Sequence, residues 1–178
     1  MKIIDLTLTL THHMSVYPGD PEVEIVEIHQ LAKEGWNLRQ LTLTTHLGTH
    51  LNVPYHMVAD GKKLDDYSLD AFMGPAKIYH DGVEYDERTG LIFSTRNIDA
   101  EIAHILLDKK PKFVGLSSEF EFDLEIEKLL LQHGIVSFEN LTNTDQLPAL
   151  GTFEFYGVPL AIVGSDGSPV RAWARVEG

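Results

Sequence analysis

An α/β fold, built as a mixed β-sheet or barrel with flanking helices, is predicted by three features of the 178-residue sequence. Alternation of apolar and polar residues with a period of two dominates the first half. Two runs at helix spacing follow in the second half, each leading into a short apolar stretch. Glycine and proline clusters punctuate the boundaries.

Taken in order, Ile4, Leu6, Leu8 and Leu10 alternate with Asp5, Thr7 and Thr9, the pattern of a half-buried strand. Tyr17-Pro18-Gly19-Asp20-Pro21 reads as a turn, because proline fixes φ and glycine opens the left-handed region. Strand patterns follow over 22–28 and 38–45, where Leu41 and Leu43 alternate with Thr42 and Thr44. A helical turn around Leu69 to Met73 precedes a strand over 74–80. Ile98, Ile102, Ile105 and Leu106 fall on one helix face, and Pro111 bars continuation. Val114-Gly115-Leu116 reads as a short buried strand. Asp123 is the N-cap expected for a helix carrying Leu124, Glu127, Leu130 and Leu131, with Gly134 at its end. Stretches 135–138, 153–163 and 170–176 complete the strands. With no repeat and no linker, residues 1–178 are expected to form a single domain.

Composition removes several function classes. Acidic residues outnumber basic ones 27 to 14, for a formal charge of −13, and Lys109, Lys110 and Lys112 are the densest basic spot. A field of that sign repels nucleic acid and anionic membrane surfaces, so neither is an expected partner. There is no cysteine, which excludes disulfides, thiolate metal sites and cysteine nucleophiles. The amino terminus lacks a signal-peptide apolar run, and no stretch is long enough to cross a bilayer, so a cytoplasmic location is expected. Ser117-Ser118 lacks the flanking glycines of a nucleophile elbow, and 164–167 is too short for a phosphate loop. Asp166 and Arg171 read as structural, joined in a salt bridge.

The chemistry-bearing segment is Thr45 to His56, which holds His46, His50, Asn52 and His56 with Gly48 and Pro54 between them. Neutral imidazole is a ligand for divalent metals and a proton carrier near neutral pH. Gly48, the threonines, Asn52 and Pro54 argue against a helix here. In an extended chain the even positions share a face, yet His46 and His50 would then lie about 13 Å apart at roughly 3.3 Å per residue. Ligands at ~2.1 Å from one ion cannot be so distant. The chain must bend between them, and Gly48 is the residue able to allow it. From spacing alone, ordinary polar or core histidines remain as good a reading as a metal site.

The stretch from His46 to His56 resembles the His-x-Gly-Thr-His-x-Asp-x-Pro-x-His signature of the cyclase-like metal-dependent hydrolases, whose members include bacterial kynurenine formamidase and isatin hydrolase. Tyr17-Pro18-Gly19-Asp20, Gly61 to Asp65, Gly74-Pro75, Gly134-Ile135 with Glu139-Asn140-Leu141, and Asp166 to Arg171 resemble further family segments in the same order. The resemblance implies the family's swivelling β/β/α-like fold and a pair of divalent ions, zinc first and manganese second. It also implies a small-molecule substrate and a homodimer or homotetramer. Carried over by position, His46, His50 and Glu139 match metal ligands, and His56 matches the general acid and base. Two positions depart from the pattern: the bridging Asp is Asn52, and the late-helix His, twelve residues before Glu139, is Glu127. Glu127 returns the carboxylate that Asn52 removes, so both are included in the expected metal set. More oxygen and less nitrogen shifts preference toward harder ions.

The activity this implies is arylformamidase-type hydrolysis of N-formylkynurenine to kynurenine and formate, a step of tryptophan catabolism. Tyr17 would pack against the substrate ring. The alternatives are another cyclic amide of the isatin type, or a catalytically degenerate protein that only binds a small molecule.

Overall fold

In the computed structural model, which describes residues 1–177, the sheet begins by joining the two ends of the chain. β1 (Lys2–Asp5) lies antiparallel to β11 (Trp173–Val176), which pairs in turn with β9 (Phe153–Tyr156) and then β5 (Met73–Ile78). From β5 the sheet becomes parallel through β6 (Gly90–Phe93), β7 (Phe113–Ser117) and β8 (Val136–Leu141). Two short antiparallel strands, β4 (His50–Asn52) and β10 (Gly167–Pro169), complete the nine-stranded order. A separate antiparallel ribbon pairs β2 (Glu24–His29) with β3 (Leu38–Thr42), joined by the single turn α1 (Leu31–Glu34). The mixed α/β architecture is therefore the one expected, with the sheet curled into a half-barrel.

Helices α2 (Ala100–Lys109) and α3 (Leu124–Gln132) are the crossovers that parallel strands require. Asp99 caps α2 by accepting from the Ile102 N–H, and Asp123 caps α3 by accepting from Glu125 and Ile126. The sheet thereby separates two cores. Inside its curl lie Leu51, Val53, Ile92, Phe113, Val136, Phe138 and Phe155. Between its central strands and the helices lie Leu91, Phe93, Ile98, Ile102, Leu106, Val114, Leu116 and Leu130. No helix among the described residues is long and apolar enough to cross a membrane.

Several expected strands differ in extent. The first ends at Asp5 rather than Leu10: Leu6 still donates to the Ala172 carbonyl, but Leu8 N–H turns to the Thr49 hydroxyl at 2.7 Å. β9 stops at Tyr156, before Gly157 and Pro159, and β11 starts only at Trp173. β6 was not anticipated, because Leu91-Ile92-Phe93 is buried on both faces and carries no alternation.

Candidate functional site

Strand alternation assembles the site. In β4, Leu51 points into the inner core, which leaves His50 and Asn52 on the face toward α3. The antiparallel register then sets His50 opposite Glu139 and Asn52 opposite Ser137 on β8, and Asn52 opposite Gly167 on β10. Gly48 makes the bend that the spacing required, with φ at +58°. Its effect is to bring the His46 and His50 rings to 5.4 Å between centroids. Beyond β4, Pro54 opens a short 3-10 turn (Pro54–His56) that lays the His56 ring against His46 at 3.9 Å.

A continuous hydrogen-bonded cluster results. Asn52, with no exposed surface, donates from Nδ2 to Glu127 Oε1 at 2.5 Å and to Glu139 Oε1 at 2.7 Å. Its carbonyl oxygen faces His46 Nδ1 at 2.7 Å. The other ring nitrogen of His46 meets Asp166 Oδ2 at 2.8 Å, and the Thr45 hydroxyl donates to Asp166 Oδ1 at 2.9 Å. His50 Nδ1 faces the Gly48 carbonyl, and its Nε2 lies 3.2 Å from Glu139 Oε1. The Ser137 hydroxyl donates to Glu127 at 2.9 Å, and His56 Nδ1 stands 3.7 Å from Asp166.

Electrostatics separate these groups. Burial, reinforced by the neighbouring Glu139 charge, pushes the Glu127 carboxyl up to about 7. Burial also acts upward on Glu139, but its contact with His50 holds it below the usual carboxylate range. His50 shows the reciprocal shift: burial depresses it, and the Glu139 partner raises it overall. Burial would raise Asp166, yet His46 and Thr45 bring it down to about 2. His56 is lowered, first by burial and then by the positive field of His46.

A raised Glu127 pKa fixes the sign of one stability effect. Between 4.5, the ordinary value, and about 7, the unfolded chain has released the proton that the folded chain retains. Stability in chelator should therefore fall as pH rises through that window. Glu127→Gln should flatten the decline, as read from urea unfolding at intervals between pH 4.5 and 7.5; equal slopes in the two proteins would refute the assignment.

His46, His50, Asn52, Glu127 and Glu139, the expected metal set, thus converge, with His56 beside them. Tyr17 does not join them: the turn closed by Asp20 N–H on the Tyr17 carbonyl holds its side chain largely in solvent. Asp166 was missed. The expected Asp166–Arg171 pair does not form, because Arg171 bonds Asp5 instead, at 2.5 Å. Asp166 reaches the cluster through β10, a three-residue strand placed by its pairing with β4 and carrying no pattern of its own. Gly167 was missed with it. A Cβ there would lie 2.5 Å from the Leu51 carbonyl and 2.8 Å from His46 Cε1. Gly167→Ala should displace His46 and cost about 1–3 kcal/mol in denaturant unfolding.

Among the described residues, one group offers three donor atoms close enough for a metal ion: His46, His56 and Asp166, all within 4.8 Å of one another. Two imidazole nitrogens and a carboxylate oxygen fit the chemistry of one divalent cation. The Asn52–Glu127–Glu139 end does not fit a second, because an N–H donor already lies between its carboxylates.

Comparison with known proteins agrees with the fold and with the signature. The Cyclase family matches residues 4–100. A kynurenine formamidase of Salinibacter ruber is 30% identical, with 98% of each chain covered. Among solved structures, an isatin hydrolase bound to the product analogue thioisatinate superposes with a TM-score of 0.83 at 20% identity, covering 99% of this chain and 93% of that one. Isatin hydrolase A from Ralstonia solanacearum gives 0.80 at 20% identity, over 99% and 92%. At these identities the structural likeness speaks to the fold.

Proposed function

Because this chain belongs to the Cyclase family, we propose that it is a hydrolase of a small amide, with an aryl formamide such as N-formylkynurenine as the leading substrate. One observation carries the reading: a partly open imidazole, His56, lies against His46 and beside the Asp166 carboxylate. His56 takes a proton from water as the oxygen attacks the formyl carbon. It returns that proton to the aryl amine nitrogen as the C–N bond breaks, releasing formate and the amine. Asp166 is the positioning residue, since its Oδ2 faces both rings. A divalent ion held by His46 and Asp166, zinc first and manganese second, would polarise the carbonyl and bring the pKa of its water toward neutrality.

The donor distances favour a second reading for one residue, with His56 as third ligand to the ion rather than proton carrier. Metal content of His56→Ala separates the two: a ligand role loses the ion, and a proton-carrying role retains it. The reaction itself is tested with N-formylkynurenine and isatin, each in the presence of zinc, manganese or cobalt. Absence of turnover in every combination ends the hydrolase reading and leaves a small-molecule-binding protein.

A homo-oligomer belongs to the same proposal. The β2–β3 ribbon leaves Val26, Ile28, Leu38 and Leu41 exposed on its two strands and Trp36 exposed in their connection, and among the described residues no third strand pairs with it. Such a ribbon is marginal alone, and a second copy of the chain would cover it. Light scattering that reports a monomer would remove this part.

A further inference from the structure

Glu127, Asn52 and Glu139 come from three different elements, and a single nitrogen joins them. Asn52 Nδ2 lies 2.5 Å from one carboxylate oxygen and 2.7 Å from the other. Two carboxylates that share a cation place it about 2.1 Å from each oxygen. The amide nitrogen therefore occupies the position that a shared ion would need. It has two hydrogens to give and no lone pair to offer a metal. Glu127 Oε1 is satisfied a second time, by the Ser137 hydroxyl at 2.9 Å.

Turning the amide over does not open the position at low cost. Rotation would aim the carbonyl oxygen at two carboxylates and break the 2.7 Å contact with His46 Nδ1. Every polar atom of this fully buried side chain has a partner in the observed orientation only. The arrangement is closed, and it ties α3 through Glu127 to β4 through Asn52 and to β8 through Glu139.

We infer that a carboxamide replaces a cation between Glu127 and Glu139, so that the chain takes at most one divalent ion per subunit and Asn52 does the clamping that a second ion would do. This departs from the two-ion centre implied by the family signature. It is independent of which substrate is cleaved.

The test uses the full chain, stripped with chelator and titrated with manganese chloride. Elemental analysis counts the ions, and electron paramagnetic resonance distinguishes an isolated Mn²⁺ from an exchange-coupled pair. For the unmodified chain the expected result is one ion or none, with no coupled spectrum, and a count unchanged by Glu139→Gln. Asn52→Asp restores a carboxylate at the bridging position and should admit a second ion with a coupled spectrum. In chelator Asn52→Asp should melt about 10 °C lower, because three acidic groups then face one another without a donor, and manganese should recover the loss. Two coupled ions in the unmodified chain, with one lost in Glu139→Gln, would overturn the inference while leaving the hydrolase proposal standing. A count of zero would support it and remove the ion from the proposed reaction. Should Asn52→Asp fold only with metal present, that dependence is itself the expected exchange of donor for cation. An Asn52→Asp protein that is stable in chelator and indifferent to manganese would count against it.

Discussion

His56→Ala should lower turnover of the cleaved amide by about 100- to 10,000-fold, the range that general acid–base catalysis supplies. The loss should fall mainly on kcat, because the proton moves in the transition state and the ring contributes little to ground-state binding. Thermal stability should change little, since the His56 side chain is 25% exposed and pairs with Asp166 only at 3.7 Å. The pH profile gives a sharper readout. A general base works in its neutral form, so activity rises with pH along a limb set by its pKa. Burial depresses that pKa below 6.5, and a cation held beside the ring would act in the same direction, which places the limb on the acid side of an ordinary histidine. Asp166→Asn removes a charge that favours imidazolium and should move the limb further toward acid, and because Asp166 would also hold the ion, the rate should fall together with the ion content. His56→Ala should abolish the limb altogether. An unchanged profile in His56→Ala would assign the proton transfer to another group.

The ease with which parts of this molecule were read from sequence follows the range of the interactions involved. The helices were readable because their signals are local: Ile102, Ile105 and Leu106 share a face of α2 ahead of Pro111, Asp123 sits where a cap belongs, and Gly134 closes α3 in the left-handed region. The bend at Gly48 was readable because extended geometry alone forbids His46 and His50 from meeting without one. β4 and β10 were not, since three residues hold no period and both strands exist only through pairing with β8 and with each other. Asp166 illustrates the consequence. Its partner His46 is 120 residues away, and no local pattern announces a contact created by that ladder. Glu127 lay between the two cases: its position in an amphipathic helix was evident, but only the resemblance pointed it toward the site. The resemblance identified which residues gather, and left open that hydrogen bonds rather than a second ion hold Glu127 to Glu139.

Phe138→Ala should cost about 3–5 kcal/mol, the range for an aromatic ring removed from a filled core. Phe138 has no exposed surface, and its ring meets Phe113 at 5.3 Å and Phe155 at 5.0 Å, both edge-on. Gly157 makes room for it, since a Cβ there would lie 2.4 Å from the Phe138 ring. The same β8 strand carries Ser137 and Glu139 on its other face, so the cavity opens away from the site. Well below the melting temperature, activity and ion content should therefore survive, although Tm falls by about 10 °C. Gly157→Ala supplies a second handle. Alone it should destabilise, because its methyl must displace the ring. In the Phe138→Ala background the same methyl enters vacated space and should cost less, despite remaining 2.9 Å from Phe155 Cε1. The coupling in that double-mutant cycle should be favourable. Additive costs would show that the core relaxes around the missing ring. A hundredfold loss of activity in the cold, folded Phe138→Ala protein would show instead that the two faces of β8 do not act independently.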